Sequence, residues 1–195
     1  LGVALAALLG VWLDGAQAAL SDRVIRLHVL ANSDSEADQA LKLRVRDAVL
    51  AEAEELFVPG AGRAETEELL RAHLYDLAAA GAEVVGEAGY SYPVAASLVH
   101  DYWFPPKTYT DFALPAGAYT ALRIEIGAGG GQNWWCVVFP PLCLGSVSET
   151  TQETALEAGL TENQVSLMTG EDEGYVVKFK AVELLEQFKG WLEGR

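Results

Sequence analysis

Basic residues, histidines and cysteines are scarce in this chain of 195 residues, and each scarcity removes a class of function. Lysine and arginine total 13 against 28 acidic residues, for a formal net charge of -15. Such a surface repels phosphate backbones and anionic headgroups over a Debye length of about 8 Å, and non-specific nucleic-acid affinity needs the opposite sign. Nucleic acid is therefore not an expected partner. The three histidines, His28, His73 and His100, have no neighbours at ligand spacing and no HExxH sequence occurs, so neither a metal nor a cofactor is expected. The two cysteines, Cys136 and Cys143, bracket Pro140-Pro141 at a spacing that fits neither a CxxC redox pair nor a zinc site. The glycine run 127–131 lacks the Lys-Ser or Lys-Thr of a phosphate loop and leads into a strand pattern. No repeat is present.

What the chain does have begins with an apolar, uncharged stretch, residues 1–13, followed by the small-residue triplet Ala16-Gln17-Ala18. This is the pattern of a secretory leader, and it is short of the roughly 20 residues a membrane-spanning helix needs. Residues 1–18 read as a signal peptide or, if uncut, a membrane anchor. Membrane association is expected only through them, and the mature chain is expected to start near Ala19. Residues 19–195 read as one exported domain. Export leaves two readings of Cys136 and Cys143: a disulfide closing the loop across the prolines, or two buried thiols.

The domain opens on an alternating run, Ile25, Leu27 and Val29, whose period of two predicts a half-buried strand. A polar turn, Asn32-Ser33-Asp34-Ser35, ends it, and Leu41, Val45, Ala48, Val49 and Leu56 then recur at helical spacing. Ser35 is placed to cap this helix, with acids at its first and third positions; Ser33 with Glu36 is an alternative capping box. Lys42 and Arg46, with Asp38 one turn earlier, form a charged stripe, read as a solvated face with an Asp38–Lys42 pair in preference to a contact surface. A second helix is expected from about 65 to 85. Strands are expected from 92, over 119–126 and over 133–139, with the glycine run as a flexible hairpin connection between the last two. Residues 146–174 are polar and acidic, with short helical stretches near 154–158 and 161–168; Thr161 and Gln164 have capping-box spacing. Apolar periodicity returns over 175–192. The expected fold class is α+β: an antiparallel sheet with helices packed on one face, plus a C-terminal helix.

Within this frame no nucleophile and base are paired. Arg26 and His28 share the strand face opposite Ile25, Leu27 and Val29. Together with Asn32, Ser33 and Asp34 at the strand end, they are candidates for hydrogen bonds to a partner. Trp134-Trp135 places one indole on each face of a strand, either as a partner-binding anchor or as core. A catalytic role for any residue is not expected; an extracytoplasmic hydrolase of cell-wall or peptide bonds is the alternative.

Residues 23–50, RVIRLHVLANSDSEADQALKLRVRDAVL, and residues 131–143, GQNWWCVVFPPLC, resemble the two signature segments of the stage II sporulation protein R family. With the residues between them they tie most of 23–144 to it. The resemblance implies a secreted developmental signal of endospore-forming bacteria. Such a signal is exported from the forespore into the space between the two engulfing membranes. There it would activate a membrane-embedded aspartic protease of the mother cell, stage II sporulation protein GA, which processes the sigma-E precursor. On that implication the chain is a ligand, and the chemistry belongs to its receptor.

Overall fold

The computed structural model describes residues 19–109, 112–143 and 150–169. Strand β1 (Ile25–Leu30) leads through the polar turn into helix α1 (Glu36–Glu55), and helices α2 (Arg63–Ala72) and α3 (Leu74–Glu87) follow. A long strand β2 (Val94–Phe104), two short strands β3 (Lys107–Thr108) and β4 (Ala113–Leu114), and strands β5 (Gly117–Ile126) and β6 (Asn133–Phe139) come next. Helices α4 (Thr150–Glu157) and α5 (Glu162–Thr169) end the described chain. The class is α+β. The main sheet has the order β2-β5-β1-β6 and is mostly antiparallel, with one parallel pair, β1 beside β5.

That order places the first strand between two late ones. Leu27 lies between Leu122 of β5 and Cys136 of β6, and His28 between Arg123 and Trp135. The glycine segment is thus no simple hairpin turn. It carries the chain from β5 across the end of β1 to β6.

Alternation sorts the sheet into two faces. One face, with Ile25, Leu27, Val29, Leu122, Ile124 and Val138, packs on α1 through Leu41, Val45 and Val49 and on α2 and α3 through Leu70, Leu77 and Val85. Gly81 lets α3 approach closely, since a Cβ there would stand 3.0 Å from Val94 Cγ1 and 3.1 Å from Val45 Cγ1. The expected single helix over 65–85 is broken at His73, whose φ of -109° and ψ of 20° leave the helical region. The two halves have different anchors. Glu67 holds α2 to His100 of β2 at 2.7 Å, whereas α3 packs along α1.

The opposite face carries a second core: Val24, Phe104, Tyr119, Ala121 and Val137, covered by Phe112 and Leu114 and by Ala155, Leu160, Val165 and Met168 of the α4–α5 segment. The acidic stretch near 150–169 is therefore part of the body, and β1, expected to be half-buried, is buried on both faces. The capping box forms as its spacing predicts: Gln164 N–H donates to Thr161 Oγ1 at 3.3 Å and Thr161 N–H to Gln164 Oε1 at 2.9 Å. The expected leader, residues 1–18, and the C-terminal helix over 175–192 lie outside the described residues.

Cys136 and Cys143 are joined by a disulfide. The bond folds the chain after Pro140-Pro141 back along β6, where Cys143 Sγ accepts the Val137 N–H.

The crowding at Gly81 predicts that Gly81→Leu destabilises the fold by about 1–3 kcal/mol through overpacking. Gly86 has open space where its Cβ would stand, so Gly86→Ala stabilises by roughly 0.5–1 kcal/mol through helix propensity. Urea denaturation of the two variants beside the parent chain reads both signs.

Candidate functional site

The polar turn between β1 and α1 is a hydrogen-bonded knot centred on Asp38. Ser35 is the N-cap of α1, its Oγ accepting the Asp38 N–H at 3.1 Å. The Asp38 carboxylate accepts from Ser33 Oγ at 2.5 Å and from Asn32 Nδ2 at 2.9 Å. Gln39 Nε2 donates to the Ser33 carbonyl at 2.9 Å. The Ser33 and Asn32 hydrogen bonds stabilise the charged form of Asp38 and hold its pKa below the ordinary carboxylate value, against the opposing effect of burial.

This knot is clasped by the glycine loop from the other end of the sequence. Ala128 N–H donates to Asn32 Oδ1 at 3.0 Å, Gly130 N–H to the Asn32 carbonyl at 3.3 Å and Gly131 N–H to the Ala31 carbonyl at 2.9 Å. Gln132 N–H donates to Asp34 Oδ1 at 2.7 Å. Side chains at two glycines would prevent the approach: a Cβ at Gly127 would collide with the Asn32 side chain, and one at Gly131 with the Ser33 carbonyl. The loop expected to be flexible is thus a close backbone-to-backbone contact.

The charged stripe of α1 is likewise not a solvated face. Asp38 and Lys42 are each 4 % exposed. Lys42 Nζ donates to Gln39 Oε1 at 2.6 Å and to the Gln132 carbonyl at 2.8 Å, so it ties α1 to the loop rather than to Asp38. Burial lowers the Lys42 pKa, and nearby Arg46 lowers it further, while Asp34 opposes both. Arg46 lays its guanidinium 4.3 Å from the centre of the Trp134 ring. Asp38, Lys42 and the two glycines are structural parts of this candidate site that pattern reading assigned elsewhere, and Gln39 is one that it did not single out. Only the spacing of Asp38 from Ser35 signalled one of them.

The partner-binding candidates divide. Asp34 and Trp134 are exposed and Asn32 and Ser33 half-buried, all at the rim where turn and loop meet. Arg26 and His28 are not on a surface: they are 0 % and 1 % exposed, because the second core covers the face on which period-two alternation places them. Arg26 lies 4.1 Å from the Phe104 ring centre, and its Nη2 donates to Tyr109 Oη at 3.0 Å. His28 Nε2 hydrogen-bonds Asn133 Oδ1 at 2.8 Å amid the rings of Tyr102, Phe104 and Trp135. Burial lowers the His28 pKa, with the Asn133 hydrogen bond opposing it. Trp135 is half-buried in this ring cluster while Trp134 faces outward, the split that strand alternation requires.

Among the described residues no group of three or more His, Cys, Asp and Glu side chains is placed to hold a metal ion, and no helix is long and apolar enough to cross a membrane. The strongest acid–base cluster is Glu67 with Arg63, Arg71 and His100, at 3.0, 2.5 and 2.7 Å. Burial acts to raise the Glu67 pKa, but the His100 hydrogen bond and the charges of Arg63 and Arg71 help to outweigh it, and the net direction is down. Its geometry is that of an anchor between α2 and β2.

The two segments that carry the sequence resemblance meet in space: β1 pairs with β6, and the turn after β1 binds the loop before β6. Residues 21–149 match the family model described as stage II sporulation protein R. The chain belongs to that family. It is also 39% identical over 124 residues to stage II sporulation protein R of Bacillus subtilis (strain 168). The match takes in 64% of this chain and 55% of that protein, so the chain spans about half the length of the curated relative it matches. No solved structure matches. Both names are those of a sporulation protein.

Because its folded pKa is depressed, Asp38 contributes stability that is present above its unfolded pKa of about 4 and lost as pH falls through the folded value. Asp38→Asn therefore melts at a lower temperature than the parent at pH 7, and the gap narrows below about pH 4. Thermal melts across pH 2–7 measure it.

Proposed function

We propose that this chain is an exported sporulation signal. It binds the external part of a membrane-embedded aspartic protease, stage II sporulation protein GA, and so promotes processing of the sigma-E precursor. The forespore makes it, and it acts in the space between the forespore and mother-cell membranes. The observation that carries this reading is the use made of the reactive-looking residues. Ser33 and Asn32 of the turn donate to Asp38 of α1, Asp34 accepts from the loop, and His28 is sealed in an aromatic cluster. Hydrolysis needs a nucleophile, a base and open space between them, and that arrangement is not what these residues form. What they form is a rigid rim, with Asp34, Asn133 and Trp134 at the surface, and such a rim is suited to being read by another protein.

Family membership supports the developmental role, and the disulfide agrees with an oxidising, extracytoplasmic setting. A ligand activates a receptor only by binding its active state more tightly than its inactive one. The rim is accordingly assigned to contacts that exist in the protease-active state.

The deciding experiment reconstitutes cleavage of the sigma-E precursor by the receptor protease with and without this purified domain. Cleavage without dependence on the domain overturns the activator role. Within the same assay Trp134→Ala is expected to weaken stimulation by about tenfold or more while lowering stability by about 1 kcal/mol or less. A variant equally stable and fully active places the contact away from this rim.

A further inference from the structure

The two edges of the main sheet are treated differently. On β6 the Val137 N–H is taken by Cys143 Sγ and the Trp135 carbonyl by Tyr109 Oη at 3.2 Å, so the disulfide and Tyr109 close that edge. On the opposite edge no strand lies outside β2 among the described residues. The Gly127 N–H bonds the Pro93 carbonyl at 2.8 Å, and alternation from there turns the backbone groups of Ala95, Ser97 and Val99 toward β5. Those of Val94, Ala96 and Leu98 point outward, presenting three N–H and three C=O groups in extended register.

Edges are normally blunted by Lys, Pro or short length. Residues 94–99, VAASLV, carry no charge and no proline, and β2 is the longest strand among the described residues. The one interruption is the irregularity between Val99 and Tyr102, where Asp101 takes a φ of 53°. Beyond it Trp103, 62 % exposed, continues the same edge with a large uncovered indole.

We infer that the outer edge of β2 is a second docking surface, which takes an extended segment of the receptor as an added strand, with Trp103 as the side-chain anchor. This inference rests on the receptor reading above. The main-chain groups supply the ladder, and the half-buried Val94, Ala96 and Leu98 favour a segment with apolar residues at alternate positions. A net charge of -15 favours a neutral or basic partner segment and opposes a second copy of this chain.

The test is amide exchange on the full chain at dilute concentration, alone and with the receptor's external segment. Alone, the Val94, Ala96 and Leu98 amides exchange fast and those of Ala95, Ser97 and Val99 slowly; with the segment, the first three become protected. Protection of these three in the isolated chain overturns the inference, since the chain's own residues or a second copy then fill the edge. Ala96→Pro removes one outward N–H at a position where an edge strand tolerates proline, and weakens stimulation by about tenfold. Should Ala96→Pro compromise folding, the exchange measurement on the unsubstituted chain decides. Full stimulation by a folded Ala96→Pro chain, with no added protection, overturns this inference alone. Absence of any stimulation by the unsubstituted chain overturns the receptor reading and this inference with it.

Discussion

The insertion of β1 between β5 and β6 is the constraint from which the rest of the site follows. The chain joining β5 to β6 must cross two strand spacings, about 10 Å, over the end of β1. It does so in the short segment between Ile126 and Asn133, close enough that the peptide groups of Gly130 and Gly131 bond those of Asn32 and Ala31. A side chain at Gly127 or Gly131 would occupy the space the turn needs. The turn in its place is held by Asp38, which lies in the first turn of α1, so the same contacts that seat the crossing also fix where the helix begins. From there α1 sets the packing of the helical face through Leu41, Val45 and Val49.

Periodicity made individual elements legible, and it fell short where neighbours matter. Ile25, Leu27 and Val29 gave the strand, Ser35 its helix cap, and Thr161 with Gln164 a second cap, because each of these is decided within a few residues. A period of two says which face a side chain takes but not which strand lies alongside. The glycine run therefore read as an ordinary hairpin, although β1 lies between its two strands. The same limit applied to Arg26 and His28, whose face was legible while its cover was not. That cover comes from Phe112, Leu114 and the α4–α5 residues, in segments too short or too polar to announce a core. One signal was available. Trp134 to Phe139 is a continuous apolar run, the mark of a strand buried on both faces.

Polar groups in the second core show how a buried cation is tolerated here. Arg26 is fully buried, and no carboxylate contacts it among the described residues. The rings of Phe104 and Tyr119, at 4.1 and 5.1 Å, and the Tyr109 hydroxyl stand in for a counter-ion. Cation–π contacts strengthen when desolvated, to about 2 kcal/mol or more, and can offset part of the cost of burial. Arg26 also binds the segment around Tyr109 to the sheet, and Tyr109 in turn reaches the Trp135 carbonyl. Its role is to join the covering layer to β1 and β6.

On the proposed reading the chain acts through the shape it presents, and a rim built of glycines and short polar side chains would ordinarily lose much entropy on being bound. Here that ordering is completed during folding. Asn32 engages the loop through both side-chain and main-chain oxygens, Asp34 engages the Gln132 amide, and Lys42 engages the Gln132 carbonyl, so each side of the rim is tied to the other. Arg46 limits the motion of Trp134 by lying over its ring. The segments that form this rim lie nearly a hundred residues apart in sequence, and their geometry depends on the sheet order being correct. A chain with β1 misplaced would present neither the turn nor the loop in this form. On that reading, recognition at the rim would test the topology of the whole domain and not merely a local sequence.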